Sequence, residues 1–213
     1  SEYSLLLNDA IKFCEVFHKL RKMDQEKDAL RPVYNNGYLP GLDIIMLYTI
    51  IAHYKPQTYF EVGSGNSTKV AYKAIRENNL NTKIISVDPV PREEIDQITD
   101  AIIRKPFEDI SFEAIFSLKE NDILFIDSAH RILPNSDSMV FYLEVLPKLQ
   151  KGVILHIHDI YLPYDYPQFM CNRFYSEQYG LAMNLMANSI KFKPIMPNYF
   201  VSQDEELRKI LSP

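Results

Sequence analysis

Glu61-Val62-Gly63-Ser64-Gly65-Asn66-Ser67-Thr68, entered from the apolar run Tyr59-Phe60, is the stretch whose reading decides the fold. From Thr58 it reads as a buried strand that stops at a carboxylate and turns on two glycines. The chain then enters a helix through Asn66, Ser67 and Thr68, any of which can cap free N–H groups. Two of the chain's six glycines sit here, and glycine permits both positive φ and close approach of a ligand to the backbone. The helix N-terminus behind the turn offers unpaired donors and a partial positive charge, so a bound anionic group is expected.

Outward from this turn, strands and helices alternate at the spacing of a parallel α/β sheet. A helix is expected over 69–78, a second strand over 83–88 ending at Asp88, and short helical text over 93–100. A third strand over 101–104, a helix over 112–118 and a fourth strand over 122–127 follow, then a helix over 139–149 and a fifth strand over 153–159. Strands one, two, four and five end in acids, and ligands of open α/β sheets bind outside the carboxyl ends of the strands. These acids should therefore meet in one crevice.

Upstream, Leu6, Ala10, Phe13, Phe17 and Leu20 form one stripe of an amphipathic helix over 5–23. Turn chemistry fills 32–40, and 41–53 reads as a more buried helix closed by Pro56. Tyr34, Tyr38 and Tyr54 gather around these helices, which either shape the ligand pocket or simply pack. Downstream, a rim loop over 161–166 and a helix over 177–188 lead to a closing antiparallel pair, 190–195 with 198–201, and a terminal helix over 204–211. The expected organisation is one domain, with a helical cover over 1–56, a cofactor-binding core over 57–162 and closing elements over 163–213.

Composition narrows the class. A chain of 213 residues can bury a real core, and with 46% hydrophobic and 24% charged residues it is not disordered. A net charge of -5 gives no electrostatic reason to expect nucleic acid as a partner. The longest apolar run, Ile44 to Ala52, is too short to cross a bilayer, and no signal peptide is expected from the opening residues. Cys14 and Cys171 lack metal or redox spacing and read as reduced thiols, so a cytoplasmic location is expected.

Side chains at the turn choose between cofactors. A dinucleotide fingerprint needs a third glycine where this chain has Thr68, and Glu61 would repel a pyrophosphate. S-adenosylmethionine instead brings an ammonium group for Glu61, a carboxylate for the helix N-terminus and no phosphate. With Glu61-Val62 followed by Gly63-Ser64-Gly65, the chain resembles the class I S-adenosylmethionine-dependent methyltransferases, whose first motif is an acid, a variable residue and Gly-x-Gly. The resemblance implies an α/β Rossmann-like fold: a mostly parallel seven-stranded sheet with helices on both faces and, here, an N-terminal helical cover. Cofactor contacts are then expected from Glu61, Gly63, Ser64, Gly65, Asn66 and Ser67, with Asp127 beside them. Asp88, 25 residues after Gly63, can accept from both ribose hydroxyls, although a strand-end acid also serves as a turn former. Phe107, Glu108 and Asp109 are candidates for the adenine side.

Asp127-Ser128-Ala129-His130 and His156-Ile157-His158-Asp159 hold three of the five histidines. Asp127, His158 and Asp159 could form a half-hydrated site for Mg2+ or another divalent cation that lowers an acceptor hydroxyl's pKa. The competing reading is strand-end capping. His130 or His158 could act as general base, while His156 points the other way along its strand and reads as a core histidine. Ile126-Asp127 with His130, and His158-Asp159, resemble the branch that includes macrocin and other sugar or small-molecule O-methyltransferases. In related metal-dependent enzymes the fifth-strand position is an acid pair, from which His158 departs.

The expected function is methyl transfer from S-adenosylmethionine to a small-molecule hydroxyl of sugar or polyol type. Two alternatives stay open, an NAD-dependent oxidoreductase on a similar sheet and a non-catalytic cofactor-binding module. A small-molecule acceptor is the expected partner, without nucleic acid or membrane, and a homo-oligomer is left open.

Overall fold

The computed structural model describes residues 3–22 and 28–211. Five strands form one parallel sheet in the order β3-β2-β1-β4-β5: β1 Thr58–Val62, β2 Lys83–Val87, β3 Ala101–Ile103, β4 Ile123–Ile126 and β5 Ile154–Ile157. Central strands of a parallel sheet are covered on both faces and so read as apolar runs, and β1 and β4 are buried almost throughout. Alternation along β1 sends Tyr59 to one face and Phe60 and Val62 to the other. Tyr59 and Phe125 join α3 (Gly41–Tyr54) and α4 (Asn66–Glu77) in one core, with α1 (Tyr3–Ile11) and α2 (Cys14–Lys22) laid over it. Phe60, Val62, Leu124 and Ile126 meet Phe107, α5 (Glu113–Phe116), and Phe141 and Val145 in the other.

The sheet has five strands, not the seven expected, and no closing antiparallel pair. Residues 190–195 are turns and irregular chain, and Asn198–Gln203 is a helix, α9. Pro194 and Pro197 remove the backbone donors that a sheet ladder needs. Pro197 instead precedes the first turn of α9 and accepts the N–H of Val201 at 3.0 Å. The α10 helix (Glu205–Ile210) follows, capped where Asp204 accepts the N–H of Leu207 at 2.9 Å.

Other elements differ in detail. The predicted helix over 5–23 divides at Lys12-Phe13, where both N–H groups bond three residues back, tightening the turn; its last predicted residue, Met23, lies outside the described residues. Helical text over 93–100 is a series of turns, because Asp100 is tied to Ile84 by its own N–H and its carboxylate. The helix predicted over 139–149 starts earlier, as α6 (Asp137–Val140), capped by Ser136. It continues as a π turn over Phe141–Val145 and a 3-10 turn containing Pro147. Short α7 (Gln168–Cys171) and longer α8 (Glu177–Ala187) follow β5. No helix of the described residues is long and apolar enough to cross a membrane.

The glycine turn is clamped between strands: the Gly63 N–H donates to Val87 O and the Asp127 N–H to Val62 O, each at 2.9 Å. Gly63 has φ +79°, and a Cβ there would lie 2.2 Å from the Asp127 carbonyl oxygen. Gly63→Ala should therefore cost about 2 to 4 kcal/mol, combining positive-φ strain with a backbone clash. Urea unfolding of the variant beside the wild type measures it.

Candidate active site

Beneath the glycine turn lies Glu61, fully buried. Its carboxylate accepts from Tyr59, Ser67, Thr68 and Ser86 hydroxyls, so it knots β1, β2 and the first turn of α4 together. Burial pushes its pKa up to about 7, and the four hydroxyl donors hold it from rising further. The expected ammonium contact is thus not presented at the surface of the turn: every polar neighbour of this acid is internal.

On the open side of the turn, Asp88 Oδ2 accepts the Ser64 N–H at 2.8 Å and the Ser64 hydroxyl at 3.0 Å, while Oδ1 accepts the Val90 N–H at 2.9 Å. The acid is half-buried at the end of β2, and it is both turn former and accessible acceptor. Asn66 is committed elsewhere: its side chain accepts from Val33 N–H at 2.7 Å and donates to Val33 O at 3.1 Å, clasping the N-terminal cover to α4. Ser67 turns inward to Glu61, and Phe107 is buried against Phe112, with ring centroids 5.2 Å apart. What the turn offers a ligand is therefore its backbone and Asp88 more than the side chains of Asn66, Ser67 or Phe107. A helix of twelve residues begins there, and its first N–H groups have no intrahelical acceptor.

Adjacent to the turn, the ends of β4 and β5 assemble an acid–histidine cluster. His130 Nε2 lies 3.1 Å from Asp127 Oδ1 and 3.5 Å from Asp159 Oδ2, and Nδ1 lies 2.9 Å from Glu177 Oε2. Glu177, fully buried at the start of α8, also accepts from Ser128 at 2.9 Å. Tyr175 stacks on the His130 ring at 4.6 Å. His158 Nδ1 sits 3.5 Å from Asp127 and 3.6 Å from Asp159, and neither of its ring nitrogens has a hydrogen-bond partner among the described residues. Exposure separates the roles: the side chains of Asp127 and Asp159 are 37% and 18% exposed, those of His130 and His158 8% and 5%. The acids face the crevice and the histidines lie under them.

Burial alone would make both histidines neutral, but their acids win. Asp127 and Glu177 raise His130 to about 10, and the charges of Asp127, Asp159 and Asp43 raise His158 to about 9. Burial opposes ionisation of Asp127, yet the two imidazoliums hold it well below the usual carboxylate range. A ring held protonated in this way has no lone pair to take a proton, so these shifts weigh against His130 and His158 as the general base. Among the described residues no group of three or more His, Cys, Asp or Glu side chains is arranged to hold a metal ion. His156, half-buried and packed at a tilt against Phe125 with ring centroids 4.4 Å apart, is pulled down to about 3 by burial.

Glu177, Asp43 and Asn198 were not singled out by sequence reasoning. Glu177 reaches His130 across 47 residues, and no local pattern marks it. Asp43, a lone carboxylate at the edge of the apolar run 44–52, was the one visible signal. Its pKa is raised by burial, partly offset by His158 and by a hydrogen bond from Asn198.

Because the folded pKa of His130 lies above the ordinary 6.5, its ion pairing stabilises fully below pH 6.5 and is lost as pH rises through about 10. His130→Asn, which tolerates the φ of +60° found there, should show a shallower loss of stability over that window than wild type in urea titrations. Glu177→Gln should lower the His130 pKa by about 1 to 3 pH units, the effect of removing a contacting opposite charge, as read by NMR titration of the ring.

No curated protein matches the chain. Residues 60–160, just under half of the chain, match the family model Methyltransf_24, described as a methyltransferase domain. That segment runs from β1 past the end of β5 and contains the glycine turn, Asp88 and every member of the cluster except Glu177, and with this α/β sheet it supports placing the chain among the methyltransferases.

Proposed function

We propose that the protein transfers a methyl group from S-adenosylmethionine to the hydroxyl oxygen of a small molecule. The observation that carries this reading is the turn Gly63-Ser64-Gly65, bare of side chains at both glycines, flanked by Asp88 and opening into α4, directly against the acid–histidine cluster. The residues present fit that cofactor: the first turn of α4 offers N–H donors for its carboxylate, and Asp88 offers oxygens for its ribose. When bound, S-adenosylmethionine supplies an electrophilic methyl whose bond to sulfur breaks, leaving a neutral thioether, as the acceptor oxygen takes the carbon.

The chain's own residues position the acceptor and accept its proton. Asp159, which is partly exposed and touches both histidines, is the group we assign to receive the hydroxyl proton as the new O–C bond forms. His130 and His158 remain protonated and anchor the two acids; rate then comes mainly from holding acceptor and methyl in line. No divalent cation enters this scheme. The sugar or polyol expectation is carried only by the strand-four and strand-five resemblance.

Isothermal titration tests the reading: S-adenosylmethionine and its demethylated product should bind, and NADH should not. Asp88→Ala should weaken the product complex by about 1 to 3 kcal/mol, the cost of unpaired ribose hydroxyls, and added chelator should leave that affinity unchanged. Binding of NADH alone would transfer the site to the oxidoreductase alternative.

A further inference from the structure

Beside β5 lies a cavity of about 830 Å3, inside the size range of small-molecule sites, about 300 to 1,000 Å3. It follows β5 from Gly152 to Asp159 on the edge that no other strand covers. Asp159 is the residue it shares with the acid–histidine cluster. Most of its wall is apolar, with Met46, Leu47 and Ile50 from α3, Leu155 and Ile157 from β5 and Phe200 from α9, and Glu120, Asn121 and Lys191 also line it.

Beside Asp159 the lining turns polar. Asn198 Nδ2 donates to Asp43 Oδ1, and Asp43, Asn198 and Asp159 all line the cavity. In this bond the amide turns its NH2 toward Asp43. Asn198 Oδ1 is left buried without a hydrogen-bond partner among the described residues. Buried acceptors are rarely left unpaired, so an occupant should bring an O–H or N–H to this end and apolar surface to the rest.

We infer that this cavity binds the methyl acceptor, and that the acceptor is an apolar alcohol whose single hydroxyl lies between Asn198 Oδ1 and Asp159. The inference rests on the proposed methyl transfer to oxygen and names its substrate class. The hydroxyl donates to one of these oxygens before reaction, and its proton passes to Asp159 when the oxygen is methylated. The methylated product, having no O–H, leaves Asn198 Oδ1 unpaired again.

The test uses 1-octanol and its methyl ether, in which the O–H donor is replaced by O–CH3, each titrated calorimetrically into the full chain saturated with S-adenosylhomocysteine. Octanol should bind about tenfold more tightly than the ether, and glucose should not compete with it. Asn198→Leu should bring the two affinities together, and if that variant does not fold, the wild-type preference still decides. Equal affinities, competition by glucose, or no binding of octanol would overturn the inference. So would a protein that sediments as a dimer and excludes octanol, which would assign the groove to a second copy of this chain. Binding of S-adenosylhomocysteine is measured first on the same sample, so its failure sinks the proposed function itself, while its success beside a failed octanol arm sinks only the acceptor class.

Discussion

The approach of the Gly63 backbone to the Asp127 carbonyl oxygen is the contact on which the site depends. With no side chain at Gly63, the end of β1 can sit between Val87 of β2 and Asp127 of β4, bonded to both. That clamp sets Asp88 on one side of the turn and Asp127 on the other. A methyl group at this one position would push β4 away and carry Asp127, His130 and the contacts to β5 with it. Glu61 works on the same knot from below, since its hydroxyl partners belong to three neighbouring elements. Its burial is tolerable because those donors replace water around the carboxylate.

The cluster beyond the clamp is governed by charge. Asp127, Asp159 and Glu177 surround two buried imidazole rings and keep both protonated. Glu177 matters because it closes the far side of His130: with Nδ1 held by one acid and Nε2 by another, the ring can neither rotate nor readily lose a proton. The exposed members of the cluster are acids, so the crevice presents negative oxygens over a positive underlayer. On the proposed reaction, such a surface attracts a sulfonium before transfer and has less hold on the neutral thioether afterwards, which favours exchange of product for fresh cofactor.

The sheet was legible because its signals are local. Each of the five strands lies where its apolar run placed it, to within two residues, and the glycine turn followed from φ requirements. The site was legible only in part. Asp88, Asp127 and Asp159 stand at strand ends as read, but the protonation of His130 and His158 depends on distances to acids that sequence does not supply. Glu61 and Asn66 match a cofactor-binding pattern and are nevertheless engaged inside the protein, by hydroxyls in one case and by the Val33 backbone in the other. The stripe from Leu6 to Leu20 was also readable, yet the tightening at Lys12-Phe13 was not, because periodicity does not register a pair of three-residue hydrogen bonds.

The misread C-terminal segment and the cavity have one physical origin. Lys191-Phe192-Lys193 alternates as a strand would, and a strand there would have paired with the edge of β5 and filled the space beside it. Pro194 and Pro197 interrupt that ladder, and the chain after Pro197 coils into α9 instead. A helix cannot satisfy the edge of a strand, but it can aim a side chain, and the first residue of α9, Asn198, reaches Asp43 on α3. The groove thus stays open along β5 while its upper end is closed by Asn198 and Asp43 beside Asp159. An open groove along β5, with Asn198 and Asp43 at the Asp159 end, follows from two prolines placed where a sheet would otherwise have continued.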